Sequence, residues 1–442
     1  MSKAIVVCCD GTWNKPEIDA GKGEPSNILK CVRALKAHSG RRDQVVYYDG
    51  EVGTAGRTRR WLTGAFGMGL STNLLQAYRF IANNWAPSDD IYLLGFSRGA
   101  YTVRSLAGFI HVMGLMPKSE MKHLPQAYQW YRAEPGNARD TLPQAALMDE
   151  LRQASRRIPI RFLGVFDTVG ALGIPMPGLR RLSRRWVGFH DTQLCDSVSY
   201  AVQALAIDER RAPFQPALWT HADNADEHRQ DTVSHRTLQV WLPGVHGDVG
   251  GGYPSTGLSD LALQFMIAQA NQHGLEWQLG GNFRTAPEER ISAPLNDSFS
   301  WAYRAFGEYR RPIGGIQRNF LGLERSVSEK VHISATDRLK ADGLFGNRRN
   351  LEEALEEGTP VFHERRHLRL IVPEALAVAD MPNVGEVCTL VDMSESGARL
   401  RYSGSGVVSE GASLRLRHPR IGDRTARVRW CVGSEVGVEF AA

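Results

Sequence analysis

Three residues stand where an ester could be attacked: Ser97, Asp167 and His246, each just beyond an apolar run. Ser97 lies in Gly95-Phe96-Ser97-Arg98-Gly99, preceded by Ile91-Tyr92-Leu93-Leu94 and followed by Tyr101, Val103, Leu106, Ala107 and Ile110 at helical spacing. A sharp strand-to-helix turn of this kind holds a serine in a strained conformation with its hydroxyl exposed. Gly95 and Gly99 fit because a Cβ on either side collides across so tight a turn. The amide of Arg98, at the start of the helix, then points at an oxyanion formed on Ser97.

A serine hydroxyl is a poor nucleophile at neutral pH and needs a base oriented by a third group. The order serine, acid, histidine, each at a strand end, is that of α/β hydrolases. His246 follows the expected strand Gln239–Leu242 and sits among Gly244, Gly247 and Gly250–Gly252, small neighbours that let an imidazole reach over the serine. Asp167, closing the run Ile158–Phe166, is expected to orient the ring, whereas Asp248, two residues from His246, is expected to shape the loop. A second oxyanion donor is expected from Gly11 or Thr12, beyond the first strand. Asp10, Asp49 and Asp167 could suggest a metal cage, but no histidine or second carboxylate sits beside them, so no metal is expected.

These residues need a scaffold that brings strand ends together. Strand and helix patterns alternate over roughly the first 270 residues: strands at Ala4–Cys9, Val45–Tyr48, Ile91–Phe96, Ile158–Phe166 and Thr237–Leu242, helices at Leu74–Trp85 and Leu258–Ala270. This is the α/β class with an open parallel sheet, whose site lies in the crevice at the strand carboxyl ends. From about Leu368 short alternating strands take over: His367–Val372, Gly385–Val391, Ala398–Tyr402, Ser413–Arg417, Thr425–Cys431 and Val436–Phe440. They predict a small C-terminal β-barrel. The Glu-rich segment Asn350–Gly358 is expected to connect the two domains, residues 1–358 and 359–442, and residues 115–157 and 275–345 to cap the site.

The 442 residues are 42% hydrophobic and 23% charged, with a net charge of +5. That balance is that of a globular protein and too weakly basic to argue for nucleic acid. No run approaches a membrane span, and the apolar stretch after Lys3 is too short for a signal peptide. Six scattered cysteines show no metal-ligand spacing and read as reduced thiols of a cytoplasmic protein.

The ordered blocks Cys9-Asp10-Gly11-Thr12-Trp13-Asn14, Tyr48-Asp49-Gly50-Glu51-Val52-Gly53-Thr54, Gly95–Tyr101, Asp167-Thr168-Val169-Gly170, Asp208-Glu209-Arg210-Arg211 and Pro243–Tyr253 carry a resemblance. Over most of residues 3–355 the chain resembles the α/β-hydrolase domain of type VI secretion phospholipase effectors and their relatives. The resemblance implies a carboxylester hydrolase with Ser97, Asp167 and His246 as its triad, acting on lipid or other acyl esters without a catalytic cofactor. Glu51 departs from the small apolar residue expected in its block, and no long membrane-docking extension follows.

The tail resembles a PilZ domain: Arg365-Arg366-His367-Leu368-Arg369 holds Arg-x-x-x-Arg, and Asp392-Met393-Ser394-Glu395-Ser396-Gly397 matches Asp/Asn-x-Ser-x-x-Gly. The resemblance implies cyclic di-GMP as a regulatory ligand. Arginine forks at 365 and 369 suit its phosphates and guanines. Asp392 and Ser394 suit a base edge, and Gly397 close approach. The whole reads as an esterase or lipase regulated by cyclic di-GMP, with peripheral membrane contact and no transmembrane segment. The alternative is a cyclic di-GMP-responsive adaptor whose hydrolase fold is an interaction module.

Overall fold

The computed structural model describes residues 2–11, 24–38, 42–50, 65–133, 144–169, 193–220, 227–278, 292–299, 303, 307–314, 316–318, 323–341, 348–363, 370–379, 387–394, 397–402, 408–418, 422–432 and 434–441. Contacts divide the chain into two compact units, Met1–Met266 with Gln278–His363, and Ile267–Trp277 with Glu364–Ala442.

The first unit is built on an eight-stranded sheet, with helix α1 (Asn27–Ala34) between its first two strands in the chain. Its strands are β1 (Ala4–Cys9), β2 (Gln44–Asp49), β3 (Asp90–Phe96), β4 (Phe162–Phe166), β5 (Ala201–Ala206), β6 (Thr237–Leu242), β9 (Glu329–His332) and β10 (Val361–Phe362). Strands β7 (Ile316–Arg318) and β8 (Leu323–Arg325) form a separate antiparallel pair. The order is β10-β9-β6-β5-β4-β3-β1-β2, and every neighbouring pair is parallel. Every residue of β1, β4, β5 and β6 is buried, as expected of strands covered on both faces.

Alternation along the strands separates the two layers. Ile5, Val7, Ile91, Leu93, Leu163 and Val165 share a core with Leu74, Tyr78 and Ile81 of α2 (Ala65–Asn84) and Val103, Leu106 and Ile110 of α3 (Arg98–Met113). From β1 the chain steps to β2 on one side, then returns past β1 to β3 and progresses the other way. Strand order therefore reverses between β1 and β3, and such a switch point opens a crevice beyond the carboxyl ends of the two strands.

Several expectations shift. The strand expected over Ile158–Phe166 joins the ladder only from Phe162; Ile160 makes an isolated bridge to Val198. Strand β5 was not expected, nor were β9 and β10, which extend the sheet past β6. Because residues 275–345 contain β9, that stretch cannot be only a cap. The expected connector is a helix, Arg348–Glu356, whose Leu351 and Ala354 are buried with Leu205, Trp241 and Val331. It belongs to the first unit, because its apolar face has a core to cover. In the stretch 115–157, Leu124, Ala127, Met148 and Leu151 join the α2–α3 core, which makes their helices a structural layer.

In the second unit six antiparallel strands close a barrel in the order β11-β12-β13-β16-β15-β14. They are β11 (Leu370–Ala379), β12 (Val387–Met393), β13 (Gly397–Tyr402), β14 (Ser413–His418), β15 (Gly422–Val432) and β16 (Glu435–Phe440). Leu390, Leu400, Leu414, Leu416, Val428, Val436 and Val438 fill its interior. Arg401, Arg415, Arg417 and Arg429 alternate outward and pair with Glu435, Asp423 and Glu439, so the period of two is satisfied on both faces. Among the described residues, no helix is long and apolar enough to cross a membrane.

Candidate active site

The turn from β3 into α3 places Ser97 at the switch point. Its backbone has φ 56° and ψ −118°, a conformation side chains rarely adopt and one that costs about 1–3 kcal/mol. The fold imposes it from both sides. A Cβ on Gly95 would lie 2.6 Å from the Ala100 backbone, and one on Gly99 2.1 Å from the Cys9 carbonyl oxygen. The Ser97 amide donates to the Phe166 carbonyl at 3.0 Å, tying the turn to the end of β4. The first amides of α3, beginning with Arg98, lie in the helix turn that has no intrahelical acceptor for its N–H groups.

Asp167 follows β4 with φ 40° and is fully buried. His246 opens a short helix, His246–Gly250, after β6. Its Nδ1 lies 2.6 Å from Asp167 Oδ2 and its Nε2 lies 2.8 Å from Ser97 Oγ. With Nδ1 protonated it donates to Asp167, leaving Nε2 to accept the serine proton. The imidazole is held between Phe96 and Phe214, with ring centroids 4.7 and 5.0 Å away. The three residues named from the sequence are thus brought into one hydrogen-bonded chain, only 6–7% exposed at His246 and Ser97.

Two further charged residues buttress this chain. Arg311 places Nη1 2.6 Å from Asp167 Oδ1 and Nη2 3.0 Å from Oδ2. Burial raises the Asp167 carboxyl, but the Arg311 charge and the His246 hydrogen bond outweigh it and hold the group well below the usual carboxylate range. Glu209 accepts the His246 backbone amide at 3.2 Å and a fork from Arg211, whose Nε and Nη2 are each 2.8 Å from its oxygens. Burial again opposes ionisation, and Arg211, with smaller help from Arg311 and His246, brings Glu209 down to about 2. The Arg211 guanidinium lies 3.6 Å over the Phe214 ring, so the fork also backs the aromatic wall of the imidazole.

Asp248 does not touch the ring. It accepts the Val245 amide at 3.0 Å and Asn296 Nδ2 at 2.6 Å, which makes it a loop-shaping group, and burial pushes its carboxyl up. Gly11 lies against Ser97, but its N–H donates to Asp10 Oδ1 at 2.7 Å, so the donor expected there is already engaged. Asp10 also accepts from Tyr48 at 3.0 Å and from Ser26, and so braces the end of β1. Thr12, Trp13, Asn14, Glu51–Thr54, Gly170, Arg365 and Arg369 lie outside the described residues.

In the barrel, Ser394 N and Oγ donate to the Gly397 carbonyl at 2.8 and 3.2 Å, closing the turn between β12 and β13. A Cβ on Gly397 would lie 2.2 Å from the Val438 carbonyl oxygen, so strand pairing itself requires glycine there. Asp392 is buried and 2.8 Å from Arg399 Nε.

Sequence reasoning missed the roles of Arg311 and Glu209. Glu209 lay inside a recognised block without a role. Arg311 had no signal beyond a pair of arginines before Pro312.

Comparison with known proteins supplies the relatives. The family model described as type VI secretion (T6SS) phospholipase effector Tle1-like, catalytic domain, matches residues 3–269. The PilZ domain model matches residues 363–442. A Saccharomyces cerevisiae protein, "Uncharacterized protein YEL023C", is 30% identical over 240 residues, 49% of this chain and 33% of its own. An uncharacterized Pseudomonas aeruginosa protein of known crystal structure is 18% identical, with TM-score 0.37, over 69% of this chain and 50% of that one. The Tle1 effector bound to the VgrG spike of the type 6 secretion system is 18% identical, with TM-score 0.29, over 57% of this chain and 52% of that one. The chain spans about a third of the yeast relative and about half of each solved one.

Proposed function

We propose that this chain, which belongs to the Tle1-like phospholipase effector catalytic-domain family, is a serine carboxylester hydrolase acting on phospholipids or related acyl esters. The observation that carries the reading is the buried chain from Ser97 Oγ through His246 to Asp167, at 2.8 and 2.6 Å. In it His246 Nε2 takes the Ser97 proton as Oγ bonds to the ester carbonyl carbon. The carbonyl becomes an oxyanion facing the Arg98 amide, with the second donor from the loop after β1, where Thr12 is the candidate because the Gly11 N–H is engaged. Collapse breaks the carbon–oxygen bond, and His246 passes its proton to the leaving alcohol. Water, deprotonated by the same nitrogen, then releases the acid and restores Ser97.

The C-terminal barrel is the regulatory part of the reading, with the domains divided at residues 358 and 359. Cyclic di-GMP is held by Arg365 and Arg369 together with Asp392, Ser394 and Gly397 of the β12–β13 turn. The helix Arg348–Glu356 precedes the joining segment, and its Asn350 Nδ2 donates to the Arg311 carbonyl at 2.7 Å.

The test is hydrolysis of phosphatidylcholine and phosphatidylglycerol vesicles by the wild type and Ser97→Ala, with fluorophosphonate labelling and peptide mapping. Label on Ser97 and loss of turnover in a folded Ser97→Ala protein are expected. Label elsewhere, or near-normal turnover by Ser97→Ala, overturns the reading.

A further inference from the structure

Arg311 is a charge that an ordinary serine–histidine–aspartate chain does not need. It is fully buried, yet its terminal nitrogens are saturated. Besides the two Asp167 oxygens, Nη1 donates to the Ala206 carbonyl at 2.8 Å and Nη2 to the Phe214 carbonyl at 2.5 Å. Those carbonyls lie at the end of β5 and in the segment that walls the imidazole. They fix the plane of the guanidinium, and the fork in turn fixes the plane of the carboxylate. Asp167 Oδ1 also accepts the Ala206 amide at 3.1 Å, leaving Oδ2 turned to His246 Nδ1.

We propose that Arg311 is a positioning residue that also sets the working pH of the relay: by sharing the Asp167 carboxylate it keeps the Asp167–His246 pair free of an extra proton further into acid than an unshared pair would be. This rests on the hydrolase reading of the same site. Two such groups in contact bind protons as a unit. A proton entering that unit is repelled by the neighbouring guanidinium and attracted by the carboxylates around it. Among the described residues, the charged and titratable groups facing the pair are Arg311 and, from the segment after β5, Glu209 paired with Arg211. Asp208 and Asp248 bind the amides of Gly244 and Val245 in the histidine loop, and Tyr309 lies near Arg311. Glu209 is neutralised by its own arginine, so Arg311 is the cation bonded directly to the pair.

Removing the Arg311 charge lets the pair take up its proton more readily. The acid limb of kcat/KM then moves to higher pH, by about one unit, within the range that a neighbouring charge exerts. On the limb itself that is roughly a tenfold loss at fixed pH.

The experiment is the pH profile of kcat/KM on a soluble ester, p-nitrophenyl butyrate, for the wild type, Arg311→Gln and Arg311→Lys. Arg311→Gln should displace the limb upward and lower the plateau. Arg311→Lys, which keeps the charge and loses the fork, should lower the plateau with the limb at its wild-type position. A purely structural residue would lower both plateaus and leave both limbs in place, and that result overturns the proposal. Should Arg311→Gln not fold, Arg311→Met takes its place as the neutral variant: a limb displaced upward relative to Arg311→Lys is the expected result, and a limb that stays with that of Arg311→Lys overturns the proposal. Activity persisting in Ser97→Ala would instead overturn the hydrolase reading. An inactive Ser97→Ala beside unmoved limbs sinks this inference alone.

Discussion

Asp167→Asn and Asp248→Asn, made in parallel, separate the two carboxylates that the sequence offers as the partner of His246. Every lone-pair direction of Asp167 meets a donor: Arg311 on both oxygens, Ala206 N on Oδ1 and His246 on Oδ2. An asparagine must therefore turn its NH2 against one set of donors. If it faces His246, the ring adopts the wrong tautomer, and turnover falls by about 10⁴-fold, or roughly 5 kcal/mol of barrier. If it faces Ala206 and Arg311, the tautomer survives, but buried donors are opposed and the imidazolium loses its anion, so turnover still falls well beyond tenfold. Either way Arg311 loses its counter-charge at zero exposure, and breaking a buried pair costs about 3–5 kcal/mol of stability. Asp248 touches only loop amides and Asn296, so its asparagine variant should lose less than about tenfold in kcat/KM. Steady-state kinetics on a soluble ester and urea denaturation of each variant supply both readings. Should Asp248→Asn prove the more damaging, or Asp167→Asn stay within tenfold of wild type, the assignment of Asp167 as the acid is wrong.

Glu209, whose carboxyl stands at about 2 in the fold against 4.5 in a free chain, contributes about 3 kcal/mol that is fully present above pH 4.5 and lost as pH falls toward 2. Glu209→Gln should accordingly flatten that part of the stability–pH curve in urea melts, and an unchanged slope would count against the Glu209–Arg211 fork as its source. In calorimetry with cyclic di-GMP, Arg365→Ala, Arg369→Ala and Asp392→Ala should each weaken binding, the arginines most because the ligand carries two phosphates, while Arg420→Ala should not. Saturating ligand should alter ester turnover several-fold, the scale of a coupling of about 1–3 kcal/mol. Binding without any change in turnover would mean that the two domains are merely tethered.

The sheet was legible where burial on both faces left apolar runs, as in β1 and β3, and where large apolar residues flank a single glutamine, as in β6; the barrel was legible where polar and apolar residues alternate. It was not legible in β5, Ala201–Ala206, where alanines surround a glutamine. Gln203 is tolerated there because Thr168 donates to its oxygen at 2.5 Å and its nitrogen reaches Gln239 at 3.1 Å, a network joining strands that are distant in sequence. Strands β9 and β10 have four and two residues, below the length at which periodicity speaks. The helix Arg348–Glu356 looked like a linker because polar and charged residues outnumber its apolar ones, yet Leu351 and Ala354 suffice to seat it.

The site divides the same way. Ser97 announces itself because the strained turn needs glycines at fixed offsets, and those needs are local. His246 and Asp167 follow from being at strand ends in the expected order. Arg311 answers to no local rule: it reaches Asp167 across 144 positions, and only the fold makes them neighbours. Yet the dependence is mutual. A guanidinium with no exposure is tolerable only where an anion and carbonyls meet it. A buried aspartate stays ionised only where cations and donors outweigh its desolvation. The ionised carboxylate that faces His246 is therefore set jointly by the conspicuous motif and by a residue outside every motif.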